Sequence, residues 1–146
     1  MDIRLVNLTK IFADKNSEVR AVDNLDITIP SGKLIGLLGP SGCGKSTTLY
    51  MIAGLLEPSS GQIFFGEDDV TALSAEKRGI GLVFQNYALY PHMTVYENMA
   101  FGLKLRKVPK DEIKKKTEWA IDILGLEEYR NRKPKNLSGG QRQRVV

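Results

Sequence analysis

The chain has 146 residues, 42% of them hydrophobic and 26% charged, which suits one soluble, globular core and excludes a disordered or fibrous polypeptide. A single cysteine, Cys43, excludes a disulfide scaffold and fits a reducing compartment. No apolar run is long enough to cross a bilayer and Met1–Arg4 opens no signal peptide, so the expected home is the cytosol or the cytosolic side of a membrane.

The net charge of +4 is uneven. Residues 1–100 carry 8 basic and 11 acidic side chains (net −3), whereas residues 101–146 carry 13 basic and 6 acidic (net +7). Such a basic segment suits nucleic acid or an anionic surface, but Lys114-Lys115-Lys116 reads first as a solvated helix face. No interleaved aromatic platform for single-stranded nucleic acid accompanies it, so no nucleic-acid partner is expected.

In chain order, Ile3–Leu8 reads as a strand, Ala13–Ser17 as an exposed turn, and Leu25, Ile27 and Ile29 as the inward residues of a half-buried strand. Leu34–Leu38 is apolar without alternation, the pattern of a parallel strand covered on both faces. A helix follows over Ser46–Ala53 and ends at Gly54. Ile63–Phe65 and Ile80–Phe84 read as two further short strands.

Beyond Gln85 the period becomes helical. Thr94 and Glu97 have the spacing of a capping box, opening a helix expected to run to about Arg106. A second helix opens at Pro109-Lys110-Asp111 and ends at Gly125. Its apolar stripe is expected to comprise Ile113, Trp119, Ala120, Ile121 and Leu124.

Gly39-Pro40-Ser41-Gly42-Cys43-Gly44-Lys45-Ser46 matches the phosphate-loop pattern G-x-x-x-x-G-K-[ST], between an expected strand and an expected helix. Backbone N–H groups of Gly39, Ser41, Gly42, Cys43 and Gly44 would turn toward phosphate oxygens, with Lys45 as the mobile cation. The Ser46 hydroxyl suits Mg²⁺ and Thr47 reaches another phosphate. Binding of ATP with Mg²⁺ at residues 39–47 is therefore expected. Cys43 sits where a thiol gains reactivity, although a backbone contribution is the favoured reading.

Leu137-Ser138-Gly139-Gly140-Gln141 follows 93 residues after Lys45 (138 − 45), and Ser138 and Gln141 again have capping-box spacing. With both motifs present, the sequence resembles the ATP-binding subunits of ABC transporters, whose signature reads L-S-G-G-Q. The resemblance covers essentially the whole chain. It implies an α/β P-loop ATPase fold with an N-terminal antiparallel β subdomain and a helical subdomain: 1–86 β and phosphate-loop core, 87–136 helical, 137–146 signature and the start of its helix. It also implies that Gln85, 40 residues after Lys45 (85 − 45), contacts Mg²⁺ and water, and that Phe12 stacks on adenine. An ordinary core aromatic is the other, less favoured reading of Phe12.

Tyr87 through Asn98 is similar to the importer branch, closest to the maltose, glycerol-phosphate and oligosaccharide uptake subunits, and Val108-Pro109-Lys110 and Gly125-Leu126 strengthen the likeness. The family partners this implies are a second ATPase subunit packed head to tail, with Ser138, Gly139, Gly140 and Gln141 on its nucleotide. Membrane permeases would dock near Gln85–Met93, from the cytoplasmic side. Tyr87, Leu89, Tyr90 and Met93 are unusually apolar for a loop, and an inward-packed arrangement is the other reading.

The sequence departs from the family by stopping at Val146, inside the signature helix. The family's Walker B aspartate, catalytic glutamate and switch histidine have no counterpart, so no catalytic residue is assigned. The cluster Glu67-Asp68-Asp69 reads as a solvated turn. Residues 1–146 alone are expected to be poorly stable or self-associated, and inactive as an ATPase. A soluble, non-transport ABC protein is the competing class. The short interval of 53 residues from Gln85 to Ser138 (138 − 85), without heptads, argues against its coiled-coil members.

Overall fold

The computed structural model describes residues 1–14 and 17–146, arranged as two compact units, Met1–Leu82 and Val83–Val146. Lys15 and Asn16, from the expected turn at 13–17, lie outside the described residues.

The first unit is built on an antiparallel sheet. β1 (Ile3–Asp14) pairs with β2 (Ser17–Ile29), from Ile3 opposite Ile29 to Asp14 opposite Ser17 with register shifts between Leu5 and Ile11, and on its other side with β3 (Ser60–Phe65). The short β4 (Asp68–Asp69) completes the order β2-β1-β3-β4. The pleat turns Ile63 and Phe65 inward, and the register shift between Leu5 and Leu8, with Asn7 at φ 47°, brings those two leucines to the same face although they are three residues apart; α1 (Lys45–Ala53) contributes Met51 and Ile52 to the same core. At 25 cal/mol per Å² and 1.5–3 kcal/mol per side chain, burial of Leu8, Met51 and Ile63, each 0% exposed, is worth roughly 5–9 kcal/mol before conformational entropy. The helix stops at Gly54, whose φ of 74° lets its N–H turn back to Met51 O at 3.1 Å. α2 (Ala75–Arg78) closes the unit.

Two expected strands do not form. Residues 34–38 are irregular, with Leu34 101% and Leu38 95% exposed, and residues 80–84 are irregular as well. An apolar run becomes a strand only where a neighbour takes its N–H and C=O groups, and no described strand lies beside either segment.

The second unit packs α3 (Val95–Leu105) against α4 (Lys110–Ile123) and α5 (Gly139–Val145), with 3-10 turns at Glu127–Tyr129 and Pro134–Asn136. Val95, Ile121, Leu126, Leu137 and Val145 form its core. α4 ends with paired bonds, Gly125 N to Asp122 O at 3.0 Å and Leu126 N to Ile121 O at 2.9 Å, with Gly125 at φ +60°. Its buried stripe is Ile113, Thr117 and Ile121. Trp119 is not part of it: two residues from both Thr117 and Ile121, it points to the opposite side of the helix and lies 65% exposed. No described helix is long and apolar enough to cross a membrane.

Candidate functional site: a phosphate cradle and a signature turn

Residues 39–47 wrap the start of α1. The first intrahelical acceptor is Gly44 O, bonded by Thr48 N at 2.9 Å, so the amides of Gly44, Lys45, Ser46 and Thr47 precede any helical partner. No side chain caps this end, in contrast to α3 and α5. These donors and the positive end of the helix dipole face a cavity of about 270 Å³ lined by Ser41, Gly42, Gly44, Lys45, Ser46 and Thr47. The Thr48 hydroxyl is buried, donating to Gly44 O at 3.0 Å, whereas Ser46 and Thr47 line the cavity and Ser46 is exposed.

Gly44 fits only as glycine. Its φ is +87°, and a Cβ there would stand 2.2 Å from Ala21 O on β2. Lys45 Nζ lies over the loop, donating to Gly39 O at 2.9 Å and Pro40 O at 2.7 Å, with Cys43 Sγ at 3.4 Å. Its ammonium is thus held on carbonyls that an incoming phosphate would replace. The residues present fit a triphosphate and a hard divalent cation: backbone donors, one mobile cation and the hydroxyls of Ser41, Ser46 and Thr47. Phe12, on β1, is 44% exposed with Lys10 Nζ 5.4 Å from its ring centroid, so it is not a core aromatic.

A larger cavity of about 470 Å³ adjoins the cradle through Cys43 and Lys45, but its wall is apolar, made by Leu25, Ile27 and Leu34–Leu38 among others. Its polar lining is confined to Lys33, Cys43, Lys45 and Thr48.

The signature residues lie in the second unit, at the start of α5. Ser138 Oγ accepts from Gln141 N at 3.3 Å, and Gln141 Oε1 accepts from Ser138 N at 2.7 Å. Arg142 N already bonds Ser138 O at 2.9 Å, so the amides left over at this helix start belong to Gly139 and Gly140. Gln85 occupies an exposed turn in the same unit, after the irregular segment 80–84 rather than after a strand. Tyr87 and Ala88, with φ of 66° and 46°, hold that turn in the left-handed region. The apolar loop residues divide: Leu89 packs against the core, whereas Tyr90 remains 41% exposed, its ring tilted 51° to that of Phe101 with centroids 4.5 Å apart. The Glu67–Asp69 cluster is tied into its turn: Asp69 accepts from Thr71 and from Gln62, which holds its carboxyl below the ordinary aspartate range.

Two residues that sequence reasoning passed over organise these segments. Arg78 is 6% exposed and spends its guanidinium on four backbone carbonyls. Asn98 ties down the turn before α3. A basic residue just before Gly79 and an asparagine four residues after the Thr94 cap were the available signals, and both are common surface patterns.

The chain matches the ABC transporter family over residues 22–146. It belongs to that family. It is 56% identical over 145 residues to the oligosaccharides import ATP-binding protein MsmX of Bacillus subtilis, covering 99% of this chain and 39% of that protein. To the trehalose/maltose import ATP-binding protein MalK of Thermococcus litoralis it is 53% identical over 150 residues, again 99% and 39%. Among solved structures, the dimeric ATP-binding cassette MJ0796 in a post-hydrolysis state bound to ADP and Pi superposes with a TM-score of 0.88 at 32% identity, covering 98% of this chain and 66% of that one. The expected fold class, an ABC ATPase with an antiparallel sheet and a helical part, is therefore correct. The chain spans 39% of the length of these curated relatives.

Proposed function

We propose that the protein containing this chain is the ATP-binding subunit that energises solute import, with sugars as cargo, through an ABC transporter. The observation that carries the reading is the uncapped start of α1, where four backbone donors and Lys45 converge on one cavity. Gly39, Ser41, Gly42, Cys43 and Gly44 contribute loop backbone. Lys45 exchanges Gly39 O and Pro40 O for the outer phosphates, while Ser46 and Thr47 supply hydroxyls. The Ser46 hydroxyl would be a ligand for Mg²⁺, which would supply charge neutralisation at those phosphates, and the family resemblance gives Gln85 a metal-contacting role as well. Phe12 provides an exposed ring for adenine.

Ser138, Gly139, Gly140 and Gln141 serve the nucleotide of a second ATPase subunit packed head to tail. Gly139 and Gly140 offer their free amides, and Ser138, whose oxygen already accepts from Gln141, keeps its hydroxyl proton to donate. Hydrolysis belongs to the whole protein, and no carboxylate of this chain is assigned to it. Permeases dock near Gln85–Met93 on the cytoplasmic side. Sugar cargo is supported by the import names of MsmX and MalK.

The test uses the complete subunit in its transporter. Lys45→Ala removes a charge-assisted contact of about 1.5–3 kcal/mol, so nucleotide affinity falls at least about tenfold. Ser138→Arg leaves nucleotide binding intact and abolishes turnover. Unchanged affinity in the first variant, or normal turnover in the second, refutes the corresponding half of the reading.

A further inference from the structure

The part of β1 that carries Phe12 runs past the end of its pairing with β3, which closes at Thr9 opposite Ser60. Beyond that point the edge is held from the loop before β3. Ser59 N donates to Thr9 O at 2.8 Å, Ile11 N donates to Ser59 Oγ at 3.0 Å, and Lys10 Nζ donates to Glu57 O at 2.6 Å. The same Lys10 ammonium stands over the Phe12 ring, 5.4 Å from its centroid. One lysine thus ties a half-exposed aromatic to a fixed carbonyl. On the other edge of β1, Lys10 lies opposite Val22 and Phe12 opposite Val19. Between these two β2 residues is Ala21, whose carbonyl oxygen would stand 2.2 Å from a Cβ on Gly44, with Val22 Cγ2 at 3.1 Å. The ribbon that presents Phe12 therefore touches the floor of the phosphate cradle.

We infer that Lys10 is a positioning residue for the nucleobase: its ammonium, anchored on Glu57 O, holds the Phe12 ring in the orientation that stacks on adenine. This rests on the role given to Phe12 above. A ring that is 44% exposed is not fixed by core packing, and a cation over one face restricts it while leaving area for a base. Without the cation the ring keeps its rotamer freedom until the nucleotide arrives, and ordering it then weakens binding. Stacking engages the π-face of the base and makes no contact with phosphate, so the effect of Lys10 is confined to ligands that carry a base.

The complete subunit is titrated calorimetrically, in Mg²⁺ buffer, with ADP and with inorganic pyrophosphate, which offers the same phosphates without a base. Lys10→Met keeps the apolar stem and removes the charge. It lowers ADP affinity about two- to fivefold and leaves pyrophosphate affinity within about 1.5-fold. Lys10→Arg keeps a cation and a donor for Glu57 O, and restores ADP affinity. A double-mutant cycle shows the route: Phe12→Ala alone lowers ADP affinity at least about fivefold, and adding Lys10→Met lowers it no further. Unchanged ADP affinity in Lys10→Met overturns the inference, and so does a loss in Lys10→Arg as large as that in Lys10→Met. An equal loss with pyrophosphate, or a further loss in the Phe12→Ala background, overturns it as well, because Lys10 then acts on the phosphates or on β1 as a whole. Full ADP affinity in Phe12→Ala overturns the adenine role of Phe12, and this inference with it.

Discussion

Arg78 Nη1 donates to Met51 O at 2.7 Å and to Ile52 O at 2.9 Å, placing a guanidinium on the last turn of the helix that begins at the phosphate loop. Nε and Nη2 reach Leu73 O and Thr71 O, both at 2.9 Å, so the one cation binds α1 to the segment after β4. No ion pair to Arg78 is recorded among the described residues, and burial lowers its pKa. The negative end of the α1 dipole takes the place of a counter-ion. Arg78→Met keeps the apolar stem and takes a donor from four carbonyls, of which Met51 O retains Gly54 N, at about 1–3 kcal/mol for each one left unsatisfied. A loss of at least about 3 kcal/mol in denaturant unfolding is expected. A loss below about 1 kcal/mol would show that water replaces the guanidinium readily.

Gly44→Ala tests the cradle. The added methyl would stand 2.2 Å from Ala21 O, on backbone that cannot rotate away, and φ of +87° is strained for alanine. The loop must therefore leave β2, and nucleotide binding is lost together with stability of about 2 kcal/mol or more. Calorimetric titration with ATP and thermal melting check this. Binding within threefold of the parent would mean that the loop relaxes without moving its amides.

The start of α3 carries a pH dependence. Glu97 Oε2 accepts from Thr94 N at 2.7 Å, and Glu97 N bonds Thr94 Oγ1 at 3.2 Å. The Thr94 backbone bond first, and its side chain second, hold the Glu97 carboxyl below the ordinary glutamate range. A carboxyl with a lowered folded-state pKa stabilises above its unfolded value, and that contribution disappears as pH falls through the folded value. The Thr94 amide resonance is expected to shift with acidification below the normal glutamate range. Glu97→Gln should flatten that titration, because the amide oxygen still accepts but does not ionise. A Thr94 shift that persists in the glutamine variant would assign it to another group.

The exposed run 34–38 predicts behaviour for the 146-residue chain itself. Leu34 and Leu38, 101% and 95% exposed, border the apolar cavity of about 470 Å³. Contiguous apolar surface of this kind binds hydrophobic dyes and drives self-association. Leu34→Lys with Leu38→Lys is expected to reduce both, measured by dye fluorescence and sedimentation. Unchanged association in the double variant would place the contact elsewhere.

Local chemistry was legible in the sequence. Thr94/Glu97 and Ser138/Gln141 are capping boxes because an N-cap hydroxyl and an N3 acceptor satisfy each other within four residues, whatever surrounds them. The phosphate loop is equally local: three glycines, a lysine and a helix start make the cradle by backbone conformation alone. The alternation of Leu25, Ile27 and Ile29 placed them on the inner side of β2 for the same reason. Tertiary structure alone decided the rest. Leu34–Leu38 has a strand's composition, but hydrogen bonds to a neighbour make a strand, and neighbours are not encoded within five residues. Trp119 looked like core, yet a rotation of 100° per residue turned it to solvent beside a buried Ile121. Arg78 and Asn98 resemble ordinary polar positions until the fold brings carbonyls from 27 and 8 residues away against them, and only that convergence makes them structural centres.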